Sequence, residues 1–169
     1  ALIGMDGEGF LERAAAAAER EFMPPDAGGA TSGAFLGALL GELAMRGRDK
    51  LTFAFSPGIA PFGDWIEQLI AESTGKEGKG LLPVLGEPLG PPAAYGGDRV
   101  FVSIRVGDDR TGEGALRFIA EAGLPVVDLG MVAPFDLGAQ CFVWEMATAA
   151  AGWRLAINPF DQPDVEAAK

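Results

Sequence analysis

Arg99-Val-Phe-Val-Ser-Ile-Arg-Val106 is the clearest strand in the chain. Its β-branched and aromatic residues form a near-continuous apolar run, the pattern of a strand covered on both faces. Downstream, Thr111 to Ala122 reads as a helix and Leu124-Pro-Val-Val-Asp-Leu129 as a strand. Phe135 to Ala151 then reads as an apolar, buried helix carrying Trp144. Upstream lies a Gly- and Pro-rich loop, Gly86 to Gly97, preceded by Leu81-Leu-Pro-Val-Leu85 as a strand or extended segment. Before that, Lys50-Leu-Thr-Phe-Ala-Phe-Ser56 is a short buried strand, and Pro57 to Gly63 turns the chain into a helix ending near Thr74 or Gly75. Strands alternating with helices imply an α/β fold, a three-layer sandwich around a mainly parallel sheet. In such sheets ligands usually sit beyond the carboxyl ends of the strands.

The amino-terminal part is organised differently. Glu8 to Glu21 is a helix driven by its alanine run, and Met23 to Gly29 is a Pro/Gly connector. Thr31 or Ser32 caps a second helix that stops at Gly47, and its glycines predict close packing on the sheet. Residues 1–29 are therefore read as a helix with its connector, and residues 30–169 as the α/β domain. Pro163 would open a last helix.

Composition narrows the function. The chain has 169 residues, 49% of them hydrophobic, enough for one domain with a real core. A net charge of −11 repels phosphodiesters and anionic lipid, which argues against nucleic-acid or membrane partners. Histidine is absent, which removes the usual proton shuttle, the Ser-His and Cys-His pairs and most zinc sites. No metal or cofactor site is read. The one cysteine, Cys141, lies in the apolar Gln-Cys-Phe-Val-Trp and reads as a core residue in a reducing, cytoplasmic setting. Because it starts on Ala1 and stops on Lys169, the chain reads as a piece of a larger protein.

Proton chemistry must then fall to carboxylates, lysines, Tyr95 or bound water. Gln68 and Glu72 lie four apart on one helix, so they project from the same face, one turn apart. That pair suits a general base with an amide to hold a hydroxyl, although solvated glutamates at helix ends are the commoner case. Ser73-Thr-Gly-Lys-Glu-Gly-Lys-Gly80 lacks the spacing of a phosphate loop and follows a helix, which suggests a helix stop with solvated lysines. Phe160-Asp-Gln162-Pro163 reads as a capped turn, with Lys169 two helical turns beyond Gln162. Arg105, Arg110 and Arg154 read as surface cations.

Ala71-Glu-Ser-Thr-Gly-Lys-Glu-Gly-Lys-Gly80 and Asn158-Pro-Phe-Asp-Gln-Pro-Asp-Val-Glu-Ala-Ala-Lys169 resemble the bacterial type of glucose-6-phosphate isomerase. The stretch Arg46 to Gly63 is similar to isomerase modules fused to transaldolase. The resemblance implies a sugar-isomerase (SIS) domain of flavodoxin-like topology, the second of two that enclose a sugar phosphate, with a first SIS domain and a transaldolase domain as parts of the parent chain. It also implies roles. Glu72 would carry a proton between C2 and C1 through a cis-enediol, Gln68 and Gln162 would bind sugar hydroxyls, and Lys169 would help open the ring. The family's ring-opening histidine has no counterpart here. Two rival readings remain, a non-catalytic sugar-phosphate-binding module and a purely structural or dimerisation domain.

Overall fold

The computed structural model describes residues 6–22 and 32–161. Four strands, β1 (Lys50–Phe55), β2 (Leu82–Val84), β3 (Arg99–Val106) and β4 (Val126–Met131), form one sheet in the order β2-β1-β3-β4. Every neighbouring pair is parallel. The helices are α1 (Gly7–Glu21), α2 (Gly33–Met45), α3 (Phe62–Thr74), α4 (Glu113–Glu121) and α5 (Leu137–Leu155). Among the described residues, no helix is long and apolar enough to cross a membrane.

Alternation along the strands decides which helices cover which face. Leu51 and Phe53 of β1, Val100, Val102 and Ile104 of β3, and Leu129 and Met131 of β4 point one way. They meet Leu36 and Leu40 of α2, Ile66 and Ile70 of α3, and Trp144, Ala147 and Ala151 of α5. Phe101 points the other way, into Leu116 and Ile119 of α4, with Tyr95 of the preceding loop set edge-on against its ring. Each fully buried side chain of this size contributes roughly 1.5–3 kcal/mol, so the core is built on these few positions. The result is the expected α/β three-layer sandwich, and its strand order is that of a flavodoxin-like fold.

The glycines of α2 pack elsewhere than expected. A methyl group on Gly33 would sit 2.6 Å from the Val143 carbonyl oxygen, one on Gly41 would sit 2.8 Å from Arg154 Cβ, and one on Gly37 would strike the Ala147 carbonyl. The stripe therefore lets α2 lie directly against α5, with the sheet beneath both. Glu42 on α2 then accepts from Arg154 Nε of α5 at 2.8 Å. Arg154 and Arg105, which pairs with Asp128 across β3 and β4, keep 34% and 31% of their side-chain exposure. Of the three arginines read as surface cations, only Arg110 stands well out in solvent, at 76%.

Helix α5 also outruns its expected end at Ala151. Gly152 does not break it, because the missing side chain makes room for the Pro159 ring, 2.8 Å from where a Cβ would be. The helix stops at Ala156, which takes a left-handed conformation at φ 55°. At the other end of the fold, the Glu21 carboxylate of α1 accepts from the Ser32 hydroxyl at 2.6 Å and from the Gly33 and Ala34 amides at 2.7 and 2.8 Å. It thereby joins Ser32 in capping α2 and ties the first helix to the domain. The connector from Met23 to Gly29 lies outside the described residues.

Candidate functional site

Helix α3 is amphipathic. Ile66 and Ile70 are buried against the sheet, and Gln68 and Glu72 are exposed. The Gln68 amide Nε2 donates to Glu72 Oε1 at 3.2 Å, so the two side chains do share one face. That bond holds the carboxylate in place while leaving its second oxygen open to a partner.

The residues after Glu72 anchor this end of the helix. Thr74 is fully buried, and its hydroxyl donates to the Ile70 carbonyl at 2.8 Å while accepting from the Leu81 amide at 2.9 Å. One side chain thus caps α3 and fastens it to the residue just before β2. Glu77 and Gly78 then take left-handed backbone angles, φ 55° and 70°, to turn the chain. Lys79 is exposed and lies 3.6 Å from the Glu77 carboxylate.

Lys76 departs from the solvated lysine expected of this loop. It is only 8% exposed, and its ammonium donates to the Asn158 carbonyl at 2.6 Å and to the Asp161 carbonyl at 2.5 Å. The loop that follows Glu72 is therefore bound to the turn that leads into Gln162. Gln162 and Lys169 themselves lie outside the described residues. Because α3 and α5 cover the same face of the sheet, Glu72 and the segment after α5 share one side of the molecule.

The pair lies near the end of the sheet opposite to the one where parallel-sheet ligands usually sit. A cleft of about 470 Å³ beside the end of α3 is lined by Asp49, Ala71, Gly75, Lys79, Leu81 and Leu82, among others. Asp49 and Leu81 immediately precede β1 and β2, so this is the amino end of the sheet. A second cleft, about 510 Å³, opens at the carboxyl ends beside Phe55, Leu85 and Thr111. Its charged lining consists of Asp64, Glu67 and Glu87, the last paired with Arg99 at 2.7 Å, which leaves an acidic field unfavourable to an anion. Nearby, the Ser56 hydroxyl donates to Asp109, which together with Thr111 holds that carboxyl below the usual carboxylate range. Cys141 is half-buried on α5, where burial and then Glu145 push its thiol up, so it is not an activated nucleophile.

No protein-family model matches the chain. Curated relatives do. It is 28% identical over 153 residues to the glucose-6-phosphate isomerase of Caldanaerobacter subterraneus subsp. tengcongensis, a match covering 68% of this chain and 34% of that protein. The same enzyme of Symbiobacterium thermophilum is 27% identical over 71% of this chain and 35% of its own length. That of Enterococcus faecalis is 26% identical over 78% and 38%.

The chain is similar to glucose-6-phosphate isomerases.

It spans about a third of the length of these curated relatives. Among solved structures, a hypothetical protein from Thermus thermophilus superimposes with a TM-score of 0.73 over 98% of this chain and 49% of its own, at 20% identity. That likeness supports the fold.

Proposed function

We infer that this chain is a second SIS domain that supplies the base-bearing part of a glucose-6-phosphate isomerase site. The observation that carries the reading is the Gln68–Glu72 hydrogen bond at the end of α3, in the same layer as the segment entering Gln162. Glu72 takes the C2 proton of the open-chain aldose as the carbonyl oxygen on C1 gains one, giving a cis-enediol. Return of the proton to C1, with loss of the O2 proton, gives the ketose. A carboxylate suits both directions because it can return what it removes. Gln68 and Gln162 hold sugar hydroxyls, and Lys169 lies toward the ring oxygen and the developing enediolate charge. With no histidine in the chain, ring opening falls to Lys169 with water or to a group from elsewhere in the protein. A first SIS domain completes the cage and binds the phosphate, and the parent chain carries transaldolase as a fusion partner.

Solvent deuterium tests the proposal. In the intact protein, fructose-6-phosphate in D₂O acquires label at C2 of the glucose-6-phosphate formed. Glu72→Gln lowers kcat by about 10²–10⁴-fold with modest change in KM. Wild-type turnover in that variant would remove Glu72 from the mechanism. Binding of the sugar phosphate without label would establish instead a non-catalytic SIS module, the reading that the missing histidine favours.

A further inference from the structure

We propose that Lys76 is a positioning residue that sets the separation between the Gln68–Glu72 pair and the turn from Asn158 to Asp161. The proposal rests on the isomerase reading above and adds to it a residue that touches no substrate. A buried ammonium gives up its hydration and needs compensation from fixed dipoles. Here that comes from two main-chain carbonyls of one turn, Asn158 and Asp161, at 2.6 and 2.5 Å. Among the described residues no carboxylate pairs with Lys76. An apolar side chain would fill the same space without the desolvation, so what the lysine adds is geometry.

Both ends of the tether are themselves fixed. On one side, Thr74 locks the end of α3 to Leu81, two residues before Lys76 in the chain. On the other, Pro159 seats against Gly152 of α5, and Asn158 Oδ1 accepts from the Phe160 amide at 3.1 Å to close the turn. Glu72 is four residues before Lys76, and Gln162 is the residue after Asp161. The ammonium therefore links the loop that follows the base to the turn that precedes Gln162 in the chain. Removing it leaves each element folded and lets their separation vary. Misplacement of this kind, on the order of 1 Å, costs about 10²-fold in rate.

The test uses Lys76→Met, which removes the donors, Lys76→Arg, which restores them, and Lys79→Met as a neighbouring control, all in the intact protein. Amide hydrogen exchange at Ile157 and Phe160, which bond to the Gly152 carbonyl and Asn158 Oδ1, reads how well the tethered turn stays closed. Lys76→Met is expected to raise exchange there by about tenfold or more while α3 and the middle of α5 keep their protection. Turnover is expected to fall about 10- to 100-fold, mainly in kcat, with the pH profile unmoved because the titrating base is intact. Lys76→Arg is expected to recover most of both losses, and Lys79→Met to show neither. Unchanged exchange in Lys76→Met, or faster exchange with wild-type kcat, would overturn the positioning role. Wild-type turnover in Glu72→Gln would instead overturn the isomerase reading itself, and the exchange experiment would still decide whether the tether exists.

Discussion

Glu21 shows how a single carboxylate can hold two helices together. Burial raises its pKa, but the Ser32 hydroxyl and the Ala34 and Gly33 amides outweigh it and hold the carboxyl below its ordinary 4.5. A folded-state value below the unfolded one means that the ionised form stabilises the fold. That contribution is complete above pH 4.5 and fades as pH falls through the lower, folded value. Glu21→Gln is thus expected to cost about 1 kcal/mol at pH 7. The gap from wild type should narrow as pH falls below the ordinary carboxyl value. Thermal melts of both proteins at pH 7 and about pH 3.5 would check this, and an equal gap at both values would assign the effect to packing. Glu21 gave no such signal in the sequence, because its partners lie eleven to thirteen residues on, across a Pro/Gly connector. Lys76 was hidden for the same reason at longer range, since its acceptors are 82 and 85 residues away. Gln68 and Glu72 were legible because helical spacing alone makes them neighbours.

At the scale of elements, legibility followed how local the cause was. Strand β3 was plain because its apolar run is covered on both faces, and that cover needs no knowledge of which helix provides it. The three residues of β2 were ambiguous because Pro83 interrupts them and Leu82 is exposed. The glycines of α2 announced a close approach but not its partner, and the partner proved to be α5. That contact yields a prediction. Gly37→Ala gains up to about 1 kcal/mol in helix propensity, yet drives a methyl group into the Ala147 backbone carbonyl, which cannot swing aside. Overpacking of this kind costs roughly 1–3 kcal/mol or more, so the variant should be clearly less stable in a denaturant titration. Gly114→Ala on α4, where a Cβ meets nothing within 4 Å, should be no less stable than wild type. Equal midpoints for the two variants would mean that α2 and α5 can part at little cost.

At the scale of the whole molecule, two facts bear on what this chain does alone. Its match covers 34% of a curated relative, and its own charge is −11. The carboxyl-end cleft, where the general rule for parallel sheets would seat a ligand, presents Asp64 and Glu67, with Glu87 paired to Arg99. The amino-end cleft beside α3 has Lys79 as its one lining cation, offset by Glu77 at 3.6 Å, and Asp49 in the same lining is paired with Lys50 at 3.2 Å. A dianionic phosphate needs several oriented donors or cations to repay its desolvation, and neither cleft offers them among the described residues. On the proposed reading, a domain that presents a base to a partner's phosphate site has no need to bind the anion itself, which fits the absence of oriented cations in both clefts. It follows that residues 1–169 expressed alone should show no measurable isomerisation of fructose-6-phosphate. Calorimetry should give a Kd weaker than about 1 mM, less than about 4 kcal/mol of binding. A tighter constant would require a phosphate site within this chain, and with it a division of labour between the two domains opposite to the one inferred.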